Sequence, residues 1–379
     1  MQDDVIRQPL GSREIRTAVV GVGHLGRHHA RILANLAGAR LVGVVDADER
    51  RAAEQGALLG VPHYLDCREL IGKAEAVAVA VPTKCHHAVA RELLDCGIHV
   101  LLEKPITVSV READELIDLA HARGALLQVG HLERFNPSVV ALSSYVDMPL
   151  FVQVERIGSF SGRGMDVDVV LDLMIHDLDI VVALVGAPCE TIDAIGIPVL
   201  SQQVDIASAR LHFQSGTVAT LTASRVSAKR LRQMRIFQPS SYLSLDFEAQ
   251  RLEVCRLSGT MDGTGGPGIA IAREAVPVTP GEPLVAELQS FLDALRTGAA
   301  PVVSGETGRA ALLAAIRVRS AIAESAAAIA EKHRNWARRT GHRPATALPL
   351  IAAAAQATDR PAKPPTTVLS PPAATRDDV

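Results

Sequence analysis

The sequence predicts two joined domains of different class: a doubly wound α/β domain with a parallel sheet, then an α+β domain with a largely antiparallel, open sheet. The chain has 379 residues, which is enough for two domains. Over residues 15–136, strand-like and helical segments alternate, as is typical of a parallel sheet with right-handed crossovers. From residue 137 to residue 335 the pattern changes to successive strands with short links, which indicates antiparallel pairing.

The two ends of the chain differ from the middle in composition. Residues 1–14 are charged and have no apolar stretch, so they are interpreted as a flexible leader and not as a signal peptide. Residues 336–379 are rich in proline, alanine and threonine and are predicted to be disordered.

Composition excludes several classes of function. The net charge is −3 and aromatic residues make up 3% of the chain, so neither a basic field nor stacking surfaces suggest a nucleic-acid partner. The five cysteines are scattered, which predicts neither a disulfide framework nor a zinc site and fits a cytoplasmic protein. No uncharged run approaches the roughly 20 residues that a membrane-spanning helix requires, so no membrane insertion is expected.

The first domain opens with a nucleotide-binding pattern. A strand predicted from Ile15 to Val20 runs into a GxGxxG motif, and a helical pattern follows. Glycines at these spacings permit a tight turn, close approach of the backbone to a pyrophosphate, and close packing of helix on strand. The motif residues are Gly21, Val22, Gly23, His24, Leu25 and Gly26.

An acidic residue after the second strand favours NAD over NADP. Asp46 lies twenty residues beyond Gly26, where a carboxylate suits the ribose hydroxyls of NAD and repels the 2′-phosphate of NADP. Arg50 and Arg51 lie close by in sequence and leave some tolerance of NADP open.

Polar residues follow the later strands of the same sheet. Ligands of open parallel sheets bind at the carboxyl ends of the strands. Those ends carry Pro82 and Thr83, then Glu103 and Lys104, then His131. Lys104 would point towards the nicotinamide and stabilise a developing alkoxide, or it would pair with Glu103 or face solvent.

The segment from Val169 to Gly186 is apolar enough for a buried helix, yet it carries four ionisable residues. At 100° per residue, one polar stripe contains Asp172, His176 and Asp179, with Asp168 one turn earlier, whereas Asp177 points elsewhere. The helix alone allows two interpretations, a hydrogen-bonded core pair or a functional site. His24, His28 and His29 lack an acidic or cysteine partner at ligand spacing, so no metal site is predicted there.

These motifs together resemble the glucose–fructose oxidoreductase, inositol dehydrogenase and rhizopine-catabolism family. The resemblance spans about residues 13–332 and depends on GVGHLGRHHA, VPTKCHHAVA around His86, LLEKPIT, VGHLERFNP, and LDLMIHDLD as a D-x-x-x-H-x-x-D motif. Met174 departs from the pattern, because many members have glycine there.

The resemblance implies a Rossmann NAD-binding domain and a substrate domain that also forms a homodimer or homotetramer. It implies that Lys104, Asp172 and His176 form the catalytic group of a NAD-dependent dehydrogenase acting on a sugar hydroxyl. It adds His86 to the expected cofactor-binding residues, which are otherwise Gly21, Gly23, His24, Leu25, Gly26, Asp46, Pro82, Thr83, Glu103, Lys104 and His131.

Several segments are similar to the branch of the family that oxidises the C3 hydroxyl of UDP-N-acetylglucosamine for lipid A biosynthesis, a product that a PLP aminotransferase then converts to an amine. Cations could bind the diphosphate of such a substrate; the candidates are Arg134, Arg156, Arg163, Arg225, Lys229 and Arg230. Lys104, Asp172 and His176 would contact the sugar. Alternatives that stay open are a dehydrogenase of a free polyol such as inositol, and a nucleotide-sensing protein without turnover.

Overall fold

A computed structural model describes residues 10–11, 13–160, 167–239, 241–258 and 270–340. Most of the predicted leader, Arg163, and residues 341–379 of the predicted tail lie outside the described residues.

The first sheet has six parallel strands in the order β3-β2-β1-β4-β5-β6. Its direction of winding reverses between β1 and β4, which creates the crevice where such sheets bind ligands. The first domain contains β1 (Ile15–Val20), α1 (Gly26–Leu33), β2 (Ala39–Val45), α2 (Glu49–Leu59), β3 (His63–Tyr64), β4 (Ala76–Val79), α3 (His86–Asp95), β5 (His99–Glu103), α4 (Val110–Arg123) and β6 (Leu127–Gly130).

The second sheet has eight strands in the order β14-β13-β12-β11-β7-β10-β9-β8. Only the β7–β10 pair is parallel, so the predicted largely antiparallel sheet is confirmed. The strands are β7 (Phe151–Ile157), β8 (Cys189–Ile197), β9 (Ile206–Phe213), β10 (Val218–Ser224), β11 (Leu231–Gln238), β12 (Ser241–Asp246), β13 (Arg251–Ser258) and β14 (Ala270–Ala275). The sequence interpretation missed β14.

Four more helices connect the two sheets: α5 (Pro137–Leu142), α6 (Ile175–Val185), α7 (Pro283–Thr297) and α8 (Gly305–Thr340). The sequence interpretation assigned α7 to the second domain, but its apolar face packs on the first. Leu288 and Phe291 share a buried cluster with Val19 and Leu101 of the parallel sheet. Hydrophobic periodicity marks α7 as half-buried but does not say which sheet it covers.

The last helix, α8, contacts both domains. It packs against α4 and β6 on one side and against α6 and β8 on the other. It continues to Thr340, so residues 336–340 are helical and not disordered as predicted. Within the described ranges, no helix combines the length and the apolar character that a bilayer span requires.

Candidate active site

The glycine motif forms the turn between β1 and α1, and each glycine has a different steric reason. Gly21 has a φ of 85°, in the left-handed region, and a Cβ there would lie 2.7 Å from the Ala80 carbonyl oxygen. A Cβ on Gly26 would lie 1.7 Å from the Gly21 oxygen. A Cβ on Gly23 would meet nothing within 4 Å. The open side of this turn therefore fits a pyrophosphate at the start of α1.

Asp46 holds this turn in place. Its carboxylate accepts a hydrogen bond from the Val22 amide at 3.0 Å and from the Asp48 amide at 2.9 Å, and pairs with Arg51 at 2.9 Å. Burial alone would raise the pKa of Asp46, but these hydrogen bonds lower it below its usual value. The side chain is thus ionised and lies where a ribose would adjoin the turn.

Lys104 reaches from the end of β5 to the segment before α6. Its Nζ donates to the Asp172 carbonyl oxygen at 2.7 Å and lies 3.6 Å from Asp172 Oδ1. Burial lowers the pKa of Lys104, while the Asp172 charge opposes that effect. The peptide bond from Lys104 to Pro105 is cis.

His176 faces the same space and lies beside His131. The two imidazoles meet edge to face with centroids 6.3 Å apart, and neither His131 nitrogen nor His176 Nδ1 has a hydrogen-bond partner among the described residues. Burial, then the positive charge of Lys104, lowers the pKa of His176 well below 6.5. The same two effects lower the pKa of His131 to about 3. Both rings are therefore neutral near pH 7, and His176 is free to accept a proton.

The polar stripe predicted on one α-helix is divided between two kinds of helix. Residues Val170–Met174 form a π-helical turn, and the α-helix begins at Ile175. Asp172 lies in this π turn, and its carbonyl oxygen accepts the hydrogen bond from Lys104 Nζ.

The other acids near this helix have structural partners. Asp168 accepts from the Val170 and Leu171 amides and pairs with Arg319 at 2.8 Å. Asp179 is buried 3.9 Å from Arg134, and because burial outweighs that cation its pKa is raised to about 7. Asp177, which points away from the stripe as predicted, lies 2.7 Å from Arg156 in a buried ion pair.

A cavity of about 410 Å³ opens beside Asp172 on the second sheet. Arg156 and Arg225 line the cavity, and both are in ion pairs. Arg156 lies 2.7 Å from both Glu133 and Asp177, and Arg225 lies 2.9 Å from Asp205. The exposed Arg230 also lines the cavity, and it pairs with Glu248 at 2.9 Å. The guanidinium of a further lining residue, Arg232, has no hydrogen bond or ion pair within the described part of the chain.

Not all predicted site residues lie together. The structure brings Lys104, Asp172, His176 and His131 into one group. His24 is exposed on the glycine turn near Arg27. His86 is buried 2.9 Å from the carbonyl oxygens of both Val81 and Pro105, so it ties the Pro82–Thr83 segment to the strand end at Lys104.

The sequence interpretation also missed functional candidates. It did not consider Arg232. It predicted a surface or packing role for His29, and the buried position agrees with packing but adds an acidic partner that was not predicted. His29 is fully buried against Glu103 at 3.0 Å. The sequence did carry a signal for this burial. His29 lies on the apolar side of α1, one turn before the buried residues Ile32 and Leu33.

Two family models match this chain. The model described as an oxidoreductase family with an NAD-binding Rossmann fold matches residues 15–131, and the C-terminal domain model of the same family matches residues 158–239. A curated relative, UDP-N-acetylglucosamine 3-dehydrogenase from Acidithiobacillus ferrooxidans, is 38% identical over 310 residues, which is 81% of this chain and 97% of the relative. The chain belongs to the GFO/IDH/MocA oxidoreductase family.

Solved structures agree with this membership. A structure of the Acidithiobacillus ferrooxidans enzyme, at 37% identity, superposes with a TM-score of 0.76 over 82% of this chain and 98% of that one. A more distant relative, myo-inositol 2-dehydrogenase from Thermotoga maritima, is 26% identical over 82% of this chain and 97% of its own length. This GFO/IDH/MocA member is thus a nicotinamide-dependent oxidoreductase whose two domains both match the family.

Proposed function

We propose that this family member oxidises the C3 hydroxyl of UDP-N-acetylglucosamine to a ketone with NAD+ as the oxidant. The observation that supports it most is the 38% identity to a UDP-N-acetylglucosamine 3-dehydrogenase over 97% of that enzyme. The inositol dehydrogenases among the relatives are similar at lower identity, 26% for the Thermotoga maritima enzyme.

The glycine turn would hold NAD+, which when bound would supply the hydride acceptor for the sugar carbon. The neutral imidazole of His176 accepts the hydroxyl proton as general base. The Lys104 ammonium donates to the same oxygen and stabilises the negative charge that develops on it. Asp172, within 3.6 Å of Lys104, orients the amine or a neighbouring hydroxyl. The alcohol thus loses a hydride, which would convert NAD+ to NADH, and a proton, which passes to His176. The products are the ketone, NADH and H+.

The substrate assay distinguishes this proposal from its main alternative. Purified protein is mixed with NAD+ and either UDP-N-acetylglucosamine or myo-inositol, and NADH is followed by its absorbance. Glutamate and a PLP aminotransferase that consumes the keto sugar are added to draw the reaction forward. We expect NADH with the nucleotide sugar; oxidation of inositol with none of the nucleotide sugar would contradict the proposal.

We infer that the diphosphate binds at the cavity beside Asp172. Arg232 is the residue that best supports this inference, because its guanidinium is partly buried and unpaired among the described residues. Burial and the nearby charge of Arg156 lower the pKa of Arg232. An anion bound at this position would oppose both effects, because it stabilises the charged guanidinium. Arg230 stands on the rim of the same cavity. Arg134 remains a proposed substrate contact, predicted from the sequence as a cation for the diphosphate, and Lys104 remains a proposed contact of the sugar.

Arg232→Met is expected to raise the KM for UDP-N-acetylglucosamine about 10- to 100-fold, since a charge-assisted hydrogen bond contributes about 1.5–3 kcal/mol. The matched control is Arg235→Met. Arg235 lies three residues further along the same strand and therefore on the opposite face of the sheet, where it pairs with Glu155 at 3.1 Å. Steady-state kinetics would show the difference. An unchanged KM in the Arg232 variant would remove this residue from the substrate site.

The proposed cofactor is NAD and not NADP, and we propose that this preference depends on the carboxylate of Asp46. Asp46→Ala is expected to weaken NAD+ binding about tenfold and to improve NADP+ relative to NAD+, because Arg51 would lose its carboxylate partner. Asp46→Asn, which keeps an acceptor for the Val22 amide, controls for distortion of the turn. Calorimetric titration gives both dissociation constants; equal affinity in wild type and Asp46→Ala would refute the ribose role.

The partners follow from the same chemistry. A 3-keto nucleotide sugar is the substrate type of a PLP aminotransferase, which we propose acts next on the product in the cytoplasm. We propose a homodimer or homotetramer, with the exposed face of the second sheet as the interface.

A further inference from the structure

Three ionisable side chains meet behind Lys104, on the side away from the cavity. His29 comes from α1, Glu103 ends β5, and Glu287 comes from α7. One ligand atom of each lies within 4.8 Å of the others. His29 and Glu287 are fully buried and Glu103 is 8% exposed. The proposed reaction assigns a role to neither His29 nor Glu287.

Glu103 is the centre of this group. One of its oxygens accepts from His29 Nε2 at 3.0 Å, and the other accepts from the Lys104 backbone amide at 3.2 Å. Glu103 therefore fixes the peptide that carries the Lys104 side chain.

Glu287 has no such partners. Neither of its carboxyl oxygens has a hydrogen-bond partner within the described residues, although both are buried. The nearby amide of Gln128 donates to the Glu287 backbone oxygen at 3.3 Å, not to its side chain. A buried carboxylate without a hydrogen bond or a counterion is costly, so its charge must be removed.

The cations around α7 are already paired. Arg31 of α1 lies 3.3 Å from Glu282. In the turn at Leu132–Phe135, Arg134 lies near Asp179, and Glu133 pairs with Arg156. Among the described residues, the titratable groups beside the Glu287 side chain are Glu103 and His29. Burial raises the pKa of Glu287 well above its usual value, and the charge of Glu103 raises it further.

We propose that Glu287 is a neutral carboxylic acid that shares its proton with Glu103 and so acts as a positioning residue for Lys104. A carboxyl oxygen of Glu287 lies within 4.8 Å of one of Glu103. Glu103 then has three donors, from His29, Glu287 and the Lys104 amide, which hold the strand end rigid. The role of Lys104 in this inference rests on the proposed function, whereas the protonation of Glu287 does not.

The first test is independent of the substrate. A carboxyl group whose pKa is raised on folding holds a proton that the unfolded chain releases above about pH 4.5, so stability falls as pH rises from there towards the raised pKa. Glu287→Gln is neutral in both states and lacks this dependence. We expect the melting temperature of wild type to decline relative to Glu287→Gln as the pH rises above about 4.5, the ordinary pKa of a glutamate.

The matched control is Glu282→Gln, an exposed acid just before α7, whose melting curve should keep the pH dependence of wild type. The infrared difference spectrum of wild type minus Glu287→Gln near neutral pH should also contain a protonated-carboxyl band, because both proteins keep the contribution of Asp179 and only wild type has that of Glu287. Parallel pH dependences in wild type and Glu287→Gln would overturn the proposal.

The second test concerns positioning. Glu287→Leu, which keeps the volume but loses the donor, is expected to lower kcat about tenfold or more while the KM for NAD+ stays within about twofold. Glu287→Gln keeps a donor and should restore kcat to within about threefold of wild type. If Glu287→Gln is as impaired as Glu287→Leu and wild type contains a stoichiometric divalent metal by elemental analysis, the three residues are a metal site and the proposal fails. If no variant or wild type oxidises the nucleotide sugar, the proposed function fails, and the melting data still decide the protonation of Glu287.

Discussion

His176→Ala is expected to lower kcat about a thousandfold and to leave the dissociation constant of NAD+ nearly unchanged. Loss of a positioned general base typically costs 10²–10⁴ in rate. His176 comes from α6 and not from the glycine turn between β1 and α1, so its removal is expected to leave the pyrophosphate contacts intact. Single-turnover absorbance and calorimetric titration of NAD+ measure the two effects separately.

A control and a rescue sharpen this result. His87→Ala removes an imidazole of α3 that pairs with Glu115 at 2.9 Å, and it should retain wild-type turnover. Added imidazole should restore part of the activity of His176→Ala, because the cavity left behind has the size of the missing ring. Turnover above about a tenth of wild type in His176→Ala would rule out this residue as the base.

The pH profile gives an independent reading of the same residue. A base must be unprotonated to act, and burial together with Lys104 lowers the pKa of His176 well below 6.5. Activity should therefore persist as the pH falls through 6.5, and the acid limb of kcat/KM should lie below that value. An acid limb at or above pH 6.5 would contradict the assignment.

Lys104→Met is expected to lower kcat about 10²- to 10³-fold, since a preorganised cation at a developing oxyanion contributes on that scale. The substitution keeps the length of the side chain and removes only its charge and its hydrogen bond to the Asp172 carbonyl at 2.7 Å. Calorimetry should still detect NAD+ binding.

The residual activity of this variant carries a second signature. The positive charge of Lys104 lowers the pKa of His176. Without that charge the acid limb of kcat/KM should move to higher pH, whereas a lysine with a merely structural role would leave the limb in place. Lys84→Met is the matched control: Lys84 lies in the turn at Thr83–Cys85 and forms no ion pair within the described residues. An unshifted limb with wild-type kcat would remove Lys104 from the catalytic group.

Local patterns predicted most of the fold because they report local geometry. The glycine spacing, the alternation of strands and helices, and the acid at Asp46 each follow from steric or hydrogen-bond requirements within about thirty residues. By contrast, α7 packs on a part of the parallel sheet that is distant in sequence. Its first buried residue, Leu284, follows Leu101 of that sheet by more than 180 residues. No periodicity encodes which of two apolar sheets a helix will cover.

The site shows the same division. Lys104, Asp172 and His176 were identified because they belong to motifs, and the structure brings them together. The sequence interpretation of the arginines was less specific, because charge alone does not distinguish an arginine in an ion pair, such as Arg156 with Asp177, from one whose guanidinium has no partner among the described residues, such as Arg232. Glu287 was overlooked although it shares the helix face of Leu284, Leu288 and Phe291, a pattern that places an acid inside the protein.

The return of α7 to the first domain has a consequence for recombining family members. A chimera that joins one protein's residues 15–136 to everything that follows in another would give the first sheet a foreign α7. The mismatch would fall on Leu284, Leu288 and Phe291, which fill the space beside Val19 and Leu101. A graft of residues 137–282 alone would carry the second sheet and the cavity residue Arg232 and leave that packing intact, and its new contacts would fall instead where α6 and β8 meet α8. For exchanging sugar specificity between relatives, the natural module boundary lies before α7 and not at the end of the chain.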